Sequence, residues 1–182
     1  MSTHKKVIYI SRADAEQLVP PPRSHLISIS DGSDEQAVID KTRWDSTRFC
    51  HFVDGGFDES IVNACGPDFL RIYASYLLPE SAEELREHIK GIAEAADMIV
   101  VNCRYGRSRS AAVARFISET HGFKLDRQAP EANMTVYRLL MRDPSLLEAC
   151  RRAGCESRQV SDTEPHLLDR LCRWLGLAGS RA

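Results

Sequence analysis

A cysteine and an arginine six positions apart, Cys103 and Arg109, are the residues of this chain best suited to chemistry. The segment that contains them follows the apolar run Met98–Val101 and precedes a helix-prone stretch over 111–117. A tight loop that enters a helix N-terminus presents converging backbone N–H groups and a helix dipole, and both favour a bound phosphate. The pattern predicts a phosphate-binding loop with a nucleophile at its base.

Four residues of this loop have a chemical role that follows from their type. Gly106 permits the backbone angles that a tight curl needs, and the guanidinium of Arg109 offers two parallel donors to two phosphate oxygens. Backbone donors, the helix dipole and arginine charge lower a cysteine pKa from ~8.5 to roughly 3.5–7.5, so Cys103 is predicted to attack phosphorus as a thiolate and form a phosphocysteine. Ser110 is placed to donate a hydrogen bond to that thiolate. The predicted phosphate-binding positions are Arg104, Tyr105, Gly106, Arg107, Ser108 and Arg109.

The loop resembles the Cys-x5-Arg-Ser/Thr signature of the cysteine-based protein tyrosine phosphatases, most closely their compact dual-specificity branch and its bacterial relatives. The resemblance is strong over residues 98–117, looser over 48–58 and general elsewhere. It implies a tyrosine or dual-specificity phosphatase that hydrolyses phosphorylated protein, or another phosphomonoester, without a metal or cofactor. One residue departs from the family pattern: Asn102 stands where the family usually has histidine before the cysteine.

Members of this family protonate the leaving oxygen with an aspartate on a separate, earlier loop. The apolar run Phe49–Val53 ends in Asp54, which is followed by two glycines that would let a loop swing. Asp54 is therefore the expected general acid, with Asp58 as the alternative. Asn133 is a candidate to brace a catalytic loop, although a helix-start role is the simpler interpretation.

Three other functions remain open from the residues. Arg104 and Arg107 are either solvent-facing or select a substrate with more than one phosphate; basic residues at these positions also occur in phosphoinositide-cleaving relatives, so a phosphoinositide or inositol phosphate phosphatase is an alternative. A non-catalytic phosphate-binding pseudo-phosphatase is a second. A rhodanese-type sulfurtransferase is a third, although its loop is usually one residue shorter.

The elements that must position these residues are short apolar runs bounded by turn formers. Such runs are typical of buried strands in a parallel sheet. We predict a single α/β domain over 1–182, with a mostly parallel sheet of four to five strands flanked by helices, as in protein tyrosine phosphatases, and a helical C-terminal half. The runs are Val7–Ile10, Leu26–Ile29, Phe49–Val53 and Met98–Val101.

Helix ends are marked by capping residues. Ser81 with Glu84 forms a capping-box pattern, and Asp143 before Pro144 predicts an N-cap followed by the first helical residue. Gly154 is the predicted end of that helix. An amphipathic pattern over 167–175 predicts a last helix.

Composition narrows the class of protein and its partners. The 182 residues are 43% hydrophobic and 27% charged with a net charge of −2, so neither nucleic acid nor a membrane surface is an expected partner. No apolar run approaches the roughly 20 residues of a membrane span, and no signal peptide is recognisable. A cytoplasmic location is predicted, and the oligomeric state is left open.

The six cysteines show neither a Cys-x-x-Cys pair nor zinc-ligand spacing. A cytosolic chain of this size does not depend on disulfides. Only Cys103 has surroundings that would activate it, and Cys50 or Cys65 remain possible redox partners for it.

Overall fold

A computed structural model describes residues 5–163, and its centre is a five-stranded sheet in which all strands are parallel. The spatial order is β3-β2-β4-β1-β5. Helices flank this sheet, so the predicted α/β architecture is confirmed. The strands are β1 (Lys6–Ser11), β2 (Ser24–Ser30), β3 (Ser46–His51), β4 (Met98–Cys103) and β5 (Lys124–Leu125).

β4 is the middle strand of the sheet, with β2 on one side and β1 on the other. Five of its six residues are buried, and all seven residues of β2 are. This burial on both faces explains why β4 begins as the continuous apolar run Met98–Val101. β2 is equally buried but also contains serines and a histidine. Because the strands are parallel, their carboxyl ends meet at one edge, and Cys103 is the last residue of β4 at that edge.

Seven α-helices complete the described part of the chain, and most of them cover one face of the sheet. Val7, Ile27 and Val101 face the larger core on that side, whereas Leu26 and Val100 face a smaller cluster around Trp44 on the other. Alternate residues of a strand point to opposite faces, which divides the two cores in this way. The helices are α1 (Arg12–Gln17), α2 (Glu59–Cys65), α3 (Phe69–Ile72), α4 (Pro79–Ala93), α5 (Arg109–His121), α6 (Met134–Leu140) and α7 (Pro144–Thr163).

The helix boundaries differ from the capping predictions at two places. α4 begins at Pro79 after Leu78, not after Ser81, because proline in the first turn needs no hydrogen-bond partner for its nitrogen. Gly154 does not end α7, which continues to Thr163. The predicted start of α7 is confirmed, since Asp143 Oδ1 accepts a hydrogen bond from Leu146 N at 3.1 Å.

The third strand also lies earlier than predicted. β3 ends at His51, so Phe52 and Val53 belong to the connection that follows it. Phe52 is buried in the core and the N–H of Val53 donates to Ser75 O at 2.9 Å. Asp54 is therefore reached through a packed connection and does not directly follow the strand.

The predicted helix over 167–175 lies outside the described residues. Within 5–163, none of the helices has both the length and the apolar character needed to cross a membrane.

Candidate active site

Cys103 lies at the base of the loop that joins β4 to α5, and only 2% of the residue is exposed. Its sulfur is 3.1 Å from Ser110 Oγ and also accepts backbone hydrogen bonds from Ser110, Arg107 and Gly106. Burial alone would raise the pKa of the thiol, but these hydrogen bonds together outweigh it, and the pKa of Cys103 is lower than its ordinary value. The surroundings favour the thiolate.

The loop is pressed against the end of β1 at Gly106. This glycine has φ +64°, and a Cβ built on it would lie 2.3 Å from both Ile10 C and Ser11 N. No side chain fits there, so the curl of the loop depends on glycine at this position.

Ser108 occupies the N-cap position of α5 without capping it. Its hydroxyl donates to Asp54 Oδ1 at 2.7 Å and makes no hydrogen bond to the first turn of the helix. The N–H groups at this helix end therefore remain available to other acceptors, and that of Ser110 bonds to the Cys103 sulfur.

Arg109 is held rigidly at the base of the site, with 3% of its side chain exposed. Its Nη1 donates to Asp31 Oδ1 and to Phe52 O, both at 2.5 Å. Its Nε is buried and has no hydrogen-bond partner among the described residues. Asp54 Oδ2 lies 3.9 Å from Nε, which is close enough for a charge interaction but too long for a hydrogen bond.

Asp54 reaches the same site from the connection after β3. Its Oδ1 accepts hydrogen bonds from Ser108 Oγ and, at 3.2 Å, from Asn133 Nδ2, while Oδ2 is the oxygen nearer to Arg109. Asp58 has a different place: its Oδ1 caps α2 through Ile61 N at 3.0 Å. Hydrogen bonds from Ser60 and Ile61 lower the pKa of Asp58. Of the two predicted acids, the structure brings Asp54 to the loop and leaves Asp58 at a helix end.

The two glycines after Asp54 are packed closely against other side chains. A Cβ on Gly55 would lie 2.6 Å from Tyr76 Cε1, and one on Gly56 would lie 2.8 Å from Thr135 Oγ1. The structure thus explains both glycines by close approach, whereas the sequence suggested a swinging loop. Residues 54–57 therefore pack between Tyr76 and the start of α6.

Asn133 joins three parts of the site. It caps α6 through Val136 N at 3.1 Å, and its Nδ2 also donates to Gly55 O at 2.9 Å. Its own backbone N–H donates to Ser108 O at 3.2 Å. Both roles considered for Asn133, helix start and loop brace, are therefore present together.

Asn102 is buried on the sheet face opposite Cys103, where it pairs in register with Ile10 and Ser28. Its Oδ1 has no hydrogen-bond partner within the described chain. The structure thus shows no contact through this oxygen to the loop between β4 and α5.

The outer side chains of the loop form a charged rim. Arg104 and Arg107 lie over the ring of Tyr105, at 5.5 and 5.9 Å from its centroid. Arg104 is also 3.5 Å from Glu35 Oε2, and Arg107 is 3.7 Å from Glu131 Oε2. All three loop side chains are exposed, so these ion pairs are weak and open to competition by an anion.

The other described cysteines, Cys50, Cys65 and Cys150, are also free thiols. Burial raises the pKa of the Cys50 thiol and raises that of Cys150 to about 11. No group of His, Cys, Asp and Glu side chains within 5–163 is arranged to hold a metal ion.

Asp31 is the site residue that the sequence analysis missed. It follows β2, the neighbour of β4, and so reaches the same edge of the sheet as Cys103. The sequence does place Asp31 directly after a buried apolar run, as expected of a residue at such an edge. It does not show that β2 lies beside β4.

No model of a known protein family matches this sequence, and no curated protein matches it either. The functional argument therefore depends on the signature residues and on their geometry. A low-pKa thiol, a fixed guanidinium and a nearby carboxyl group can together bind an oxyanion, attack it and protonate a leaving group.

Proposed function

We propose that this protein is a phosphomonoester hydrolase that acts through a phosphocysteine intermediate, with phosphorylated protein as its substrate. The observation that carries the proposal is the set of donors around Cys103: three backbone N–H groups and the Ser110 hydroxyl converge on one buried sulfur. A structural cysteine in an apolar core has no need of such donors.

Phosphate binding is supported by the unpaired side of Arg109. Nη1 is occupied by Asp31 and Phe52, whereas the buried Nε has no hydrogen-bond partner among the described residues. A buried donor without an acceptor is costly, and a phosphate oxygen is an acceptor suited to it. Because the guanidinium is already fixed, little conformational entropy is lost when the anion binds.

The first step is an in-line attack. The Cys103 thiolate forms a bond to phosphorus while the bond from phosphorus to the leaving oxygen breaks, and Asp54 gives its proton to that oxygen. Oδ1 of Asp54 already accepts two hydrogen bonds, so Oδ2, the oxygen nearer to Arg109, is the better position for the proton.

The second step regenerates the thiolate. Water attacks the phosphorus of the phosphocysteine, the sulfur–phosphorus bond breaks, and the Asp54 carboxylate takes the proton from the water. The hydrogen bond from Ser110 stabilises the departing thiolate, and Arg109 with the loop N–H groups holds the transferring phosphoryl group throughout.

Hydrolysis of an aryl phosphate tests this proposal, with Cys103→Ser as the matched variant. We expect turnover by the native protein and none by C103S, together with a phosphoenzyme that is trapped by rapid acid quench. Turnover that survives in C103S would overturn the mechanism. Tight binding of a phosphopeptide without turnover would instead indicate a pseudo-phosphatase, and thiocyanate formation from thiosulfate and cyanide would indicate a sulfurtransferase.

The exposed rim supports a second candidate, a phosphoinositide or inositol phosphate phosphatase. Arg104 and Arg107 both lie near the exposed ring of Tyr105, and their ion pairs with Glu35 and Glu131 are weak, so a second phosphate of the substrate has two cations available. Under this candidate, the double variant R104A/R107A loses activity on an inositol polyphosphate and keeps it on a phosphotyrosine peptide. Equal losses on both substrates, or none on either, would reject it.

A further inference from the structure

Three carbonyl groups of the phosphate-binding loop accept hydrogen bonds from other parts of the chain. Arg104 O accepts from Arg12 N at 3.4 Å, and Ser108 O accepts from Asn133 N at 3.2 Å. Between them, Gly106 O accepts from Arg127 Nη2 at 3.5 Å. Two of these donors are backbone groups, and the middle one is a charged side chain.

The middle carbonyl belongs to the peptide whose N–H reaches the nucleophile. Gly106 C=O and Arg107 N–H form one planar unit in which the two groups point in opposite directions. The Arg107 N–H bonds to the Cys103 sulfur. A donor that fixes the oxygen of this peptide therefore also fixes its N–H.

Arg127 is itself held by the end of the sheet. Its Nη2 donates to Tyr9 O at 2.6 Å, and its guanidinium lies 4.1 Å from the centroid of the Tyr9 ring. Nη1 is 3.4 Å from Asp126 Oδ2, and Asp126 N continues the pairing beyond β5 by donating to Val7 O at 3.1 Å. The guanidinium thus joins β1 to the outer side of the loop.

We propose that Arg127 is a positioning residue that holds the Gly106–Arg107 peptide with its N–H toward the Cys103 sulfur. An effect of Arg127 on turnover rests on the proposed function. Its effect on the hydrogen bond to the Cys103 sulfur exists whether or not the protein turns over a substrate. Loss of Arg127 lets this peptide rotate and withdraws one donor from the thiolate.

Alkylation of Cys103 by iodoacetamide measures this effect without turnover. The rate at each pH is followed by mass spectrometry of the peptide that contains Cys103. For Arg127→Ala we expect the midpoint of the pH profile to rise by about 0.5 to 1 unit, with a rate below the midpoint lower by about three- to tenfold. Arg71→Ala, which removes an exposed arginine from α3, is the matched control and leaves the profile unchanged.

Chemical rescue provides the second measurement. Arg127 lines a cavity of about 360 Å³ that is open beside Gly106 and Arg107. Guanidinium ion, added far below denaturing concentrations, therefore has access to the space left in R127A and is expected to restore part of the alkylation rate there, with no acceleration of the native protein. Arg127→Lys, which keeps the charge without the planar fork, is expected to lie between R127A and the native protein.

The outcomes are distinct. A midpoint for folded R127A equal to that of the native protein and R71A would overturn the proposal, as would an R127A rate that guanidinium leaves unchanged. If R127A does not fold, the same pH profile is measured on Arg127→Lys and Arg127→Gln, and midpoints equal to that of the native protein overturn the proposal. A native protein without phosphatase activity whose alkylation profile still shifts in R127A would reject the proposed function and keep this inference.

Discussion

Asp54 and Asp58 lie four positions apart and have different surroundings. The carboxyl group of Asp54 contacts Ser108 and Asn133 beside the loop, whereas that of Asp58 caps α2. Under the proposed function, Asp54 is therefore the one of the two that is placed to act as general acid.

Replacement of each aspartate by asparagine tests this difference. We expect Asp54→Asn to lower kcat on a phosphotyrosine peptide by about 10²- to 10⁴-fold, because the leaving oxygen loses its proton donor. The loss should be smaller on an aryl phosphate whose leaving group needs no proton. Asp58→Asn is the matched control, with unchanged kcat and stability, since asparagine caps a helix as well as aspartate does. Equal effects of the two substitutions would contradict the assignment.

At the scale of elements, the loop between β4 and α5 meets β1 at Gly106. Gly122, at the end of α5, has a similar positive φ of +71° but no atom within 4 Å of a built Cβ. The two glycines therefore share the backbone conformation and differ only in the space around them.

Alanine substitution separates these two effects. Gly122→Ala carries only the cost of a left-handed residue, about 1 kcal/mol. Gly106→Ala adds a collision with the backbone of β1, so we expect a loss of about 3 kcal/mol or more in the free energy of unfolding, or a displaced loop without activity. Urea unfolding of both variants gives the comparison, and similar losses would show that the contact with β1 is unimportant.

Sequence patterns predicted those elements whose causes are local. The apolar runs of the buried strands, the positive φ of Gly106 in the curled loop and the cap before Pro144 all follow from neighbouring residues, although the contact of Gly106 with β1 does not. Asp31 was missed because its role depends on the order of the strands, which places β2 beside β4. Gly55 and Gly56 were interpreted as hinges because Tyr76 and Thr135, which exclude larger residues there, are distant in the sequence.

Across the whole molecule, histidines that are buried or half-buried are expected to make stability depend on pH. His25 on β2 and His88 on α4 each have a buried Nε2 without a hydrogen-bond partner among the described residues. Burial lowers the pKa of both; Arg48 and His25 add to the effect at His88, while Asp45 opposes it at His25. Burial also lowers the pKa of His121 on α5, with Arg86 and Lys5 adding to it.

The lowered pKa values of these histidines determine whether stability rises or falls with pH. Below the ordinary pKa of about 6.5, the unfolded chain binds protons that the folded protein does not, so stability is complete above that pH and falls as the pH decreases toward the lowered values. We expect the urea midpoint to decrease from pH ~7 to ~5, and to decrease less in His88→Gln. An unchanged midpoint over this range, or the same decrease in both proteins, would contradict the prediction.

The central place of β4 gives the two halves of the site unequal resistance to opening. Cys103 ends a strand that pairs with β1 and β2, whereas Asp54 follows β3, which within the described residues pairs with β2 alone. Edge strands open at lower free energy than central ones, so amide hydrogen exchange is expected to be slowest in β4 and faster in β3. Dilute urea should therefore abolish Asp54-dependent turnover before it accelerates alkylation of Cys103, and simultaneous changes would show that the sheet opens as one unit. Cys103 is thus expected to stay protected at urea concentrations at which Asp54 has already left the site.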